Sequence, residues 1–108
     1  MARTKQIDKL NKAIELLEGK EFCVLSGAGI STDSGIPDYR GMGSAPKKPL
    51  DFGPFIKDAE YRKEFWIDGY QDWIDFSPAQ PNDAHLAIGE LERAGFDNGV
   101  ITQNVDDL

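Results

Sequence analysis

The stretch Ser26-Gly27-Ala28-Gly29-Ile30-Ser31-Thr32-Asp33-Ser34-Gly35-Ile36-Pro37-Asp38-Tyr39-Arg40-Gly41 constrains this chain more than any other part of it. It follows a short apolar run, Phe22-Cys23-Val24-Leu25. Large residues give way to small ones, then to a charged tail. This is how a strand hands over to a loop whose backbone contacts a ligand. Gly27 and Gly29 permit positive φ and carry no side chain to block close approach. A helix starting near Ile30 would aim its free N–H groups and its dipole end at an anion lying over the glycines. The pattern is that of a phosphate or dinucleotide loop, in an imperfect form. The usual fingerprint is G-x-G-x-x-G after a strand, with an acidic residue about 20 residues on. Here Thr32 takes the third glycine position and the next glycine is Gly35. The glycines alone fit an ordinary turn equally well. Asp38 and Arg40 favour a site, because a turn needs neither.

The chain of 108 residues is one small domain or part of a larger one. Its net charge is −7, unevenly spread. The first 20 residues hold five basic and three acidic side chains; the remaining 88 hold seven and sixteen. An acidic body disfavours non-specific binding to nucleic acid or an anionic membrane and is compatible with a basic peptide partner. No apolar run approaches the ~18 residues of a membrane span. The charged N-terminus lacks the apolar core of a secretory signal. A single cysteine, Cys23, fits a reducing, cytoplasmic setting, and its place inside an apolar run predicts a buried core thiol.

Residues 6–18 read as a helix, with Ile7, Leu10, Ile14 and Leu17 on one stripe and Gly19 as its stop. The run Phe22 to Leu25 suits a strand buried on both faces. Residues 41–53 (GMGSAPKKPLDFG) read as a loop, either a lid beside the binding stretch or plain disorder, with Lys47 and Lys48 solvated or facing phosphate. Residues 54–76 carry Phe55, Tyr61, Phe65, Trp66, Tyr70, Trp73 and Phe76 and read as a small helical subdomain over the sheet edge, with a break at Gly69. Core packing accounts for most of these aromatics; an acyl or peptide pocket is the alternative. Asn82 is a good N-cap for a helix whose stripe is Ala84, Ala87, Ile88, Leu91 and Ala94, closing at Gly95. His85, the only histidine, lies off that stripe with no nucleophile motif beside it, so a structural or solvated role fits it better than catalysis. Gly99-Val100-Ile101-Thr102 is a second short strand, and Gln103-Asn104-Val105-Asp106 follows it directly.

Helix, strand, glycine loop, helix and strand make an α/β chain, a partial parallel sheet with flanking helices and a helical insertion over 41–76. Two strand ends, each followed by polar groups, suggest one crevice, because α/β sheets bind ligands outside the carboxyl ends of their strands.

The blocks Gly27-Ala28-Gly29-Ile30-Ser31, Ser34-Gly35-Ile36-Pro37-Asp38-Tyr39-Arg40, Gln80-Pro81-Asn82-x-Ala84-His85 and Thr102-Gln103-Asn104-Val105-Asp106 together resemble the N-terminal part of a sirtuin, in order and in spacing. The form of the motifs is most similar to the class holding bacterial enzymes and a mitochondrial sirtuin. The resemblance runs from about residue 5 to 108 and implies a Rossmann-like NAD-binding domain over residues 1–108. It implies an NAD-dependent protein lysine deacylase that moves an acyl group from lysine to ADP-ribose and releases nicotinamide. On that resemblance Gly27, Ala28 and Gly29 approach the NAD diphosphate, and Ile30 and Ser31 count among the cofactor-binding residues. Asp38, Tyr39 and Arg40 surround the ribose and nicotinamide, with Tyr39 where phenylalanine is frequent. Gln103, Asn104 and Asp106 hold the nicotinamide ribose and carboxamide, and Val105 between them counts among the cofactor-binding residues. The partner implied is an acyl-lysine protein or peptide, and neither nucleic acid nor membrane.

The family's catalytic histidine and the paired cysteines of its zinc module fall beyond Leu108. No catalytic residue or zinc ligand is therefore assigned within the chain, and the 108-residue polypeptide alone is expected to be inactive and marginally stable. Sirtuins preferring acidic acyl groups carry a Tyr and, three residues on, an Arg in the aromatic helical segment. Trp66 and Gly69 stand there, which argues against succinyl or malonyl preference. An ADP-ribosyltransferase of the same fold and a non-enzymatic NAD-binding module are the alternatives.

Overall fold

In the computed structural model, which describes residues 1–38 and 50–108, the glycine stretch leaves a strand that pairs in parallel with the last strand of the chain. Tyr39, Arg40 and most of the 41–53 loop, Lys47 and Lys48 included, lie outside the described residues.

The first helix, α1, spans Ala2–Leu17. It begins earlier than the apolar stripe requires, because Ala2, Arg3, Lys5 and Gln6 are good helix formers and nothing before Ile7 stops the helix. It ends at Glu18, and Gly19 takes the left-handed φ of +69° that turns the chain toward the sheet. Its stripe stays open to solvent, from Leu17 at 46% exposure to Leu10 at 61%.

Strand β1 (Phe22–Ser26) pairs with β2 (Asp97–Thr102) in a two-stranded parallel sheet. Val24, Leu25 and Ser26 face Val100, Ile101 and Thr102. At the start of the ladder Phe22 faces Asp97, so β2 carries one residue more than β1 over that interval, a bulge. Gly99 absorbs it at φ +129°, and the Asp97 carboxylate fixes the turn by accepting the Gly99 N–H at 2.8 Å. This bulge lengthens β2 toward its N-terminus beyond the Gly99 start read from sequence.

The expectation of a strand covered on both faces is not met. Exposure alternates along β1: Phe22, Val24 and Ser26 are half-buried while Cys23 and Leu25 are exposed, Leu25 at 80%. Cys23 is therefore an exposed thiol and not a core residue. The reason is the shortage of layers. The helix preceding β2, described next, packs against that strand, but no apolar side chain is buried anywhere among the described residues. A parallel sheet draws its hydrophobic stabilisation from helices on both faces. The radius of gyration, 18.2 Å, also exceeds the roughly 13 Å of a compact domain this size.

Among the described residues, the crossover from β1 to β2 carries three α-helices. The first two, α2 (Phe52–Lys57) and α3 (Ala59–Phe76), pack on each other. Asp51 caps α2 by accepting the Gly53 N–H. Asp58 caps α3 by accepting the Glu60 and Tyr61 N–H groups. Arg62 of α3 donates to the carbonyls of Phe55 and Ile56 at 2.9 and 2.8 Å, satisfying acceptors that the end of α2 leaves open. Phe55 meets Phe65 edge-on at 5.2 Å between ring centres, and Phe65 meets Trp66 at 5.4 Å. α3 runs through Gly69 without the expected break. One glycine costs a helix about 1 kcal/mol relative to alanine, which an 18-residue helix with a good cap tolerates.

The third, α4 (Asp83–Arg93), begins at the expected N-cap, Asn82, whose side chain accepts the Ala84 N–H at 2.9 Å. Gly95, at φ +80°, ends it: the Gly95 N–H bonds the Glu92 carbonyl and the Phe96 N–H bonds that of Leu91.

Candidate functional site

The site is assembled where β1 and β2 end, at Ser26 and Thr102. Past Ser26 the chain enters a 3₁₀ turn over Ala28–Ser34, with Gly27 before it and Gly35 closing it at φ +88°. The helical start suggested near Ile30 takes the form of this 3₁₀ turn. The tighter turn forms because the Ile30 N–H bonds the Gly27 carbonyl and the Gly35 N–H that of Thr32, while the Thr32 hydroxyl donates to the Gly29 carbonyl at 3.0 Å. Gly27 is extended, at φ −141°, and Gly29 is not left-handed either, so the expected positive φ is found at Gly35 and not at these two. A Cβ at Gly27 or Gly29 would meet no protein atom within 4 Å. Neither backbone conformation nor internal packing demands glycine at these two positions.

Four side chains from distant parts of the chain hold this loop. Asn104, past β2, donates from Nδ2 to the Gly27 carbonyl at 3.0 Å, and its own N–H is fixed by the Thr102 hydroxyl at 3.1 Å. Ser31, 1% exposed, donates from Oγ to Asp106 Oδ2 at 2.6 Å. The other Asp106 oxygen accepts the Leu108 N–H at 3.2 Å. His85 lies 3.5 Å from Ser31 Oγ through Nε2, while its Nδ1 accepts the Asn82 N–H at 3.1 Å. That second bond places the proton of a neutral imidazole on Nε2, directed at Ser31. Asn82 donates from Nδ2 to the Ile30 carbonyl at 2.7 Å and to Ser34 Oγ at 3.0 Å.

Ser31, His85 and Asp106 are the residue types of a hydrolytic triad, but their connections differ from one. The serine donates to the aspartate, and the histidine offers the serine a proton instead of a free lone pair. The cluster holds a loop; it does not activate a nucleophile. The structural role expected for His85 is met. The sequence reading did not foresee the ties of Asn82 and His85 to the loop. The spacing held a signal: a side-chain acceptor three residues after an N-cap makes a capping box, and His85 fills the place usually taken by Glu or Gln.

A cleft of about 400 Å³ opens beside this cluster, lined by Ser26, Ile30, His85, Thr102, Asn104 and Asp106 among others. Of the candidate residues, Ile30, Ser31, Asn104 and Asp106 are thus brought together with the glycine turn. Asp38 is half-buried beyond Gly35, Gln103 is exposed, and Val105 is 99% exposed, so that its side chain projects away from the cluster. No group of three or more His, Cys, Asp or Glu side chains among the described residues is arranged to hold a metal ion, and no metal step is assigned to this chain. Among the described residues no helix is long and apolar enough to cross a membrane.

Fold and site together define a parallel α/β protein with its polar site at the carboxyl ends of its strands. The chain belongs to the Sir2 family, whose model matches residues 27–108. It is 45% identical over 93 residues to NAD-dependent protein deacetylase 1 of Mycobacterium avium (strain 104), covering 86% of this chain and 33% of that protein. It is 38% identical over 109 residues to the bovine (Bos taurus) NAD-dependent protein lipoamidase sirtuin-4, mitochondrial, covering 96% of this chain and 34% of that protein. Among solved structures it is similar to a Sir2 histidine-to-alanine variant with a deacetylated p53 peptide and 3'-O-acetyl ADP-ribose. The TM-score is 0.74 at 36% identity, covering 92% of this chain and 41% of that one. A Sir2–p53 peptide–NAD+ structure gives a TM-score of 0.70 at 38% identity, covering 90% and 39%. The fold is thus that of the Rossmann-like sirtuin sheet, and the chain spans about a third of the length of the curated relatives it matches.

Proposed function

We propose that this chain forms one wall of the NAD cleft of an NAD-dependent protein lysine deacylase. The observation that carries the reading is the pair of bonds Asn104 to Gly27 and Ser31 to Asp106, which join the two strand-end motifs across 77 and 75 residues. The relatives named as NAD-dependent deacetylases and deacylases, and the neighbour holding 3'-O-acetyl ADP-ribose, support it.

The residues present fit the dinucleotide. The positions of Gly27 and Gly29 leave the backbone open to close approach, and the turn's first N–H groups, of Ala28 and Gly29, precede any carbonyl of the turn that could take them. When bound, NAD supplies the ribose carbon that accepts the acyl oxygen and the nicotinamide that leaves it. The chain's own part is to bind and orient. Gly27, Ala28 and Gly29 meet the diphosphate. Asp106, its carboxylate already fixed from both oxygens, keeps lone pairs for a ribose hydroxyl. Asn104 has its amide N–H on Gly27, which leaves its carbonyl for the cofactor. Asp38, Tyr39, Arg40 and Gln103 complete the nicotinamide side. Groups held in advance lose little freedom on binding, which leaves more of the interaction for the reaction.

The acyl carrier in this reading is an acylated lysine in a peptide, as the p53 peptide complexes of the neighbours support. In this reading zinc is expected in the complete family member, and no cluster of ligands for it is found among the described residues. Trp66 and Gly69, one turn apart on α3, carry no basic group, which argues against a succinyl or malonyl preference. A cytoplasmic setting completes the proposal, on the single cysteine.

The test is product analysis with the intact protein, NAD and an acetyl-lysine peptide. Acetyl-ADP-ribose and nicotinamide in equal amounts support the reading. ADP-ribosylated protein, or no turnover in a protein that binds NAD, contradicts it in favour of a transferase or a binding module.

A further inference from the structure

We propose that Asn82 is a positioning residue for the nucleotide loop, joining the start of α4 and the glycine turn into one unit; this rests on the NAD reading above. An Asn side chain has one carbonyl and two amide hydrogens. All of them are used here. Oδ1 accepts the Ala84 N–H at 2.9 Å and caps α4. Nδ2 donates to the Ile30 carbonyl at 2.7 Å and to Ser34 Oγ at 3.0 Å. The reversed amide would set an N–H against the Ala84 N–H and an oxygen against the Ile30 carbonyl, so only one orientation works.

The reach of this clamp follows from covalent geometry. The Ile30 carbonyl shares its rigid peptide plane with the N–H of Ser31. Fixing that carbonyl fixes the tilt from which the Ser31 side chain leaves the turn. Ser31 then holds Asp106 at 2.6 Å. Asn82 therefore acts on the ribose-binding carboxylate through two intermediates, from the N-cap of α4. A 3₁₀ turn has poorer hydrogen-bond geometry than an α-helix and gains more from such an external tie. Capping alone does not demand asparagine, since Ser and Asp cap as well. Only Asn caps the helix and donates two hydrogen bonds to the loop.

The test separates the two jobs. Asn82→Asp keeps the capping acceptor and places an oxygen against the Ile30 carbonyl; Asn82→Ala loses both jobs; Asn82→Ser keeps a cap and loses the reach, and serves if the aspartate variant does not fold. Hydrogen exchange is measured in the intact protein without NAD. In the Asp and Ser variants the amides of Ile30, Gly35 and Ile36, which close the turn, exchange faster than in the wild type, while that of Leu86 in α4 does not. In the Ala variant all four exchange faster. NAD affinity by calorimetry falls about tenfold in the Asp variant, equivalent to roughly 1.4 kcal/mol. Wild-type exchange in the turn of the Asp and Ser variants overturns the proposal. A wild-type protein that fails to bind NAD overturns the nucleotide reading, while the exchange data still decide whether the clamp exists.

Discussion

Ser31 Oγ donates a 2.6 Å hydrogen bond to Asp106 Oδ2, and Ser31 is almost wholly buried. A short bond from a buried hydroxyl to a carboxylate is of the strong, charge-assisted kind. It ties the exit of the first strand to the exit of the second. Ser31→Ala should therefore lower NAD affinity at least tenfold, since a hydrogen bond to a charged group contributes about 1.5–3 kcal/mol. Calorimetric titration checks this, and an unchanged dissociation constant contradicts it.

His85 caps Asn82 through Nδ1 and faces Ser31 through Nε2. Glutamine is a natural acceptor at this place in a capping box. His85→Gln should be less destabilising than His85→Ala, by about 0.5–1 kcal/mol. Thermal melts of the two variants decide it; equal melts would show that the Nδ1 bond contributes nothing.

Gly27 and Gly29 need neither positive φ nor space within the protein, whereas Gly35 sits at φ +88°. Gly29→Ala should change stability by less than about 0.5 kcal/mol and yet weaken NAD binding. Gly35→Ala should destabilise by about 1 kcal/mol or more through backbone strain. The sign of each difference is read from denaturant unfolding together with NAD titration.

α3 passes straight through Gly69, where an added Cβ meets nothing within 4 Å. Gly69→Ala should raise stability by roughly 0.5–1 kcal/mol. Urea unfolding of wild type and variant gives the value. A loss of stability would mean that the glycine serves a contact or a bend not visible in the helix.

Local rules made much of the fold legible. The stripe from Ile7 to Leu17, the Asn82 cap, the Gly95 stop and the run into Thr102 were all readable, because spacing and capping are local chemistry. The strand at Phe22 was legible as a strand but not in its burial. Alternation along β1 depends on which layers cover the sheet, and no four-residue run encodes that. The exposure of Cys23 lies beyond the local sequence for the same reason. The bulge at Gly99 depends on pairing with a strand some 75 residues earlier in the chain. In the site, Asn104 and Asp106 could be picked out as polar groups past a strand. The ties of Asn82 and His85 could not, because they join residues 48 to 54 positions apart through contacts that exist only once the sheet has formed.

The most direct test of the account is NAD titration by calorimetry into the intact protein and into its Asn104→Ala and Asp106→Ala variants, with circular dichroism confirming that each is folded. The account predicts saturable binding to the wild type and a loss of tenfold or more in each variant. Wild-type affinity in both variants would contradict it.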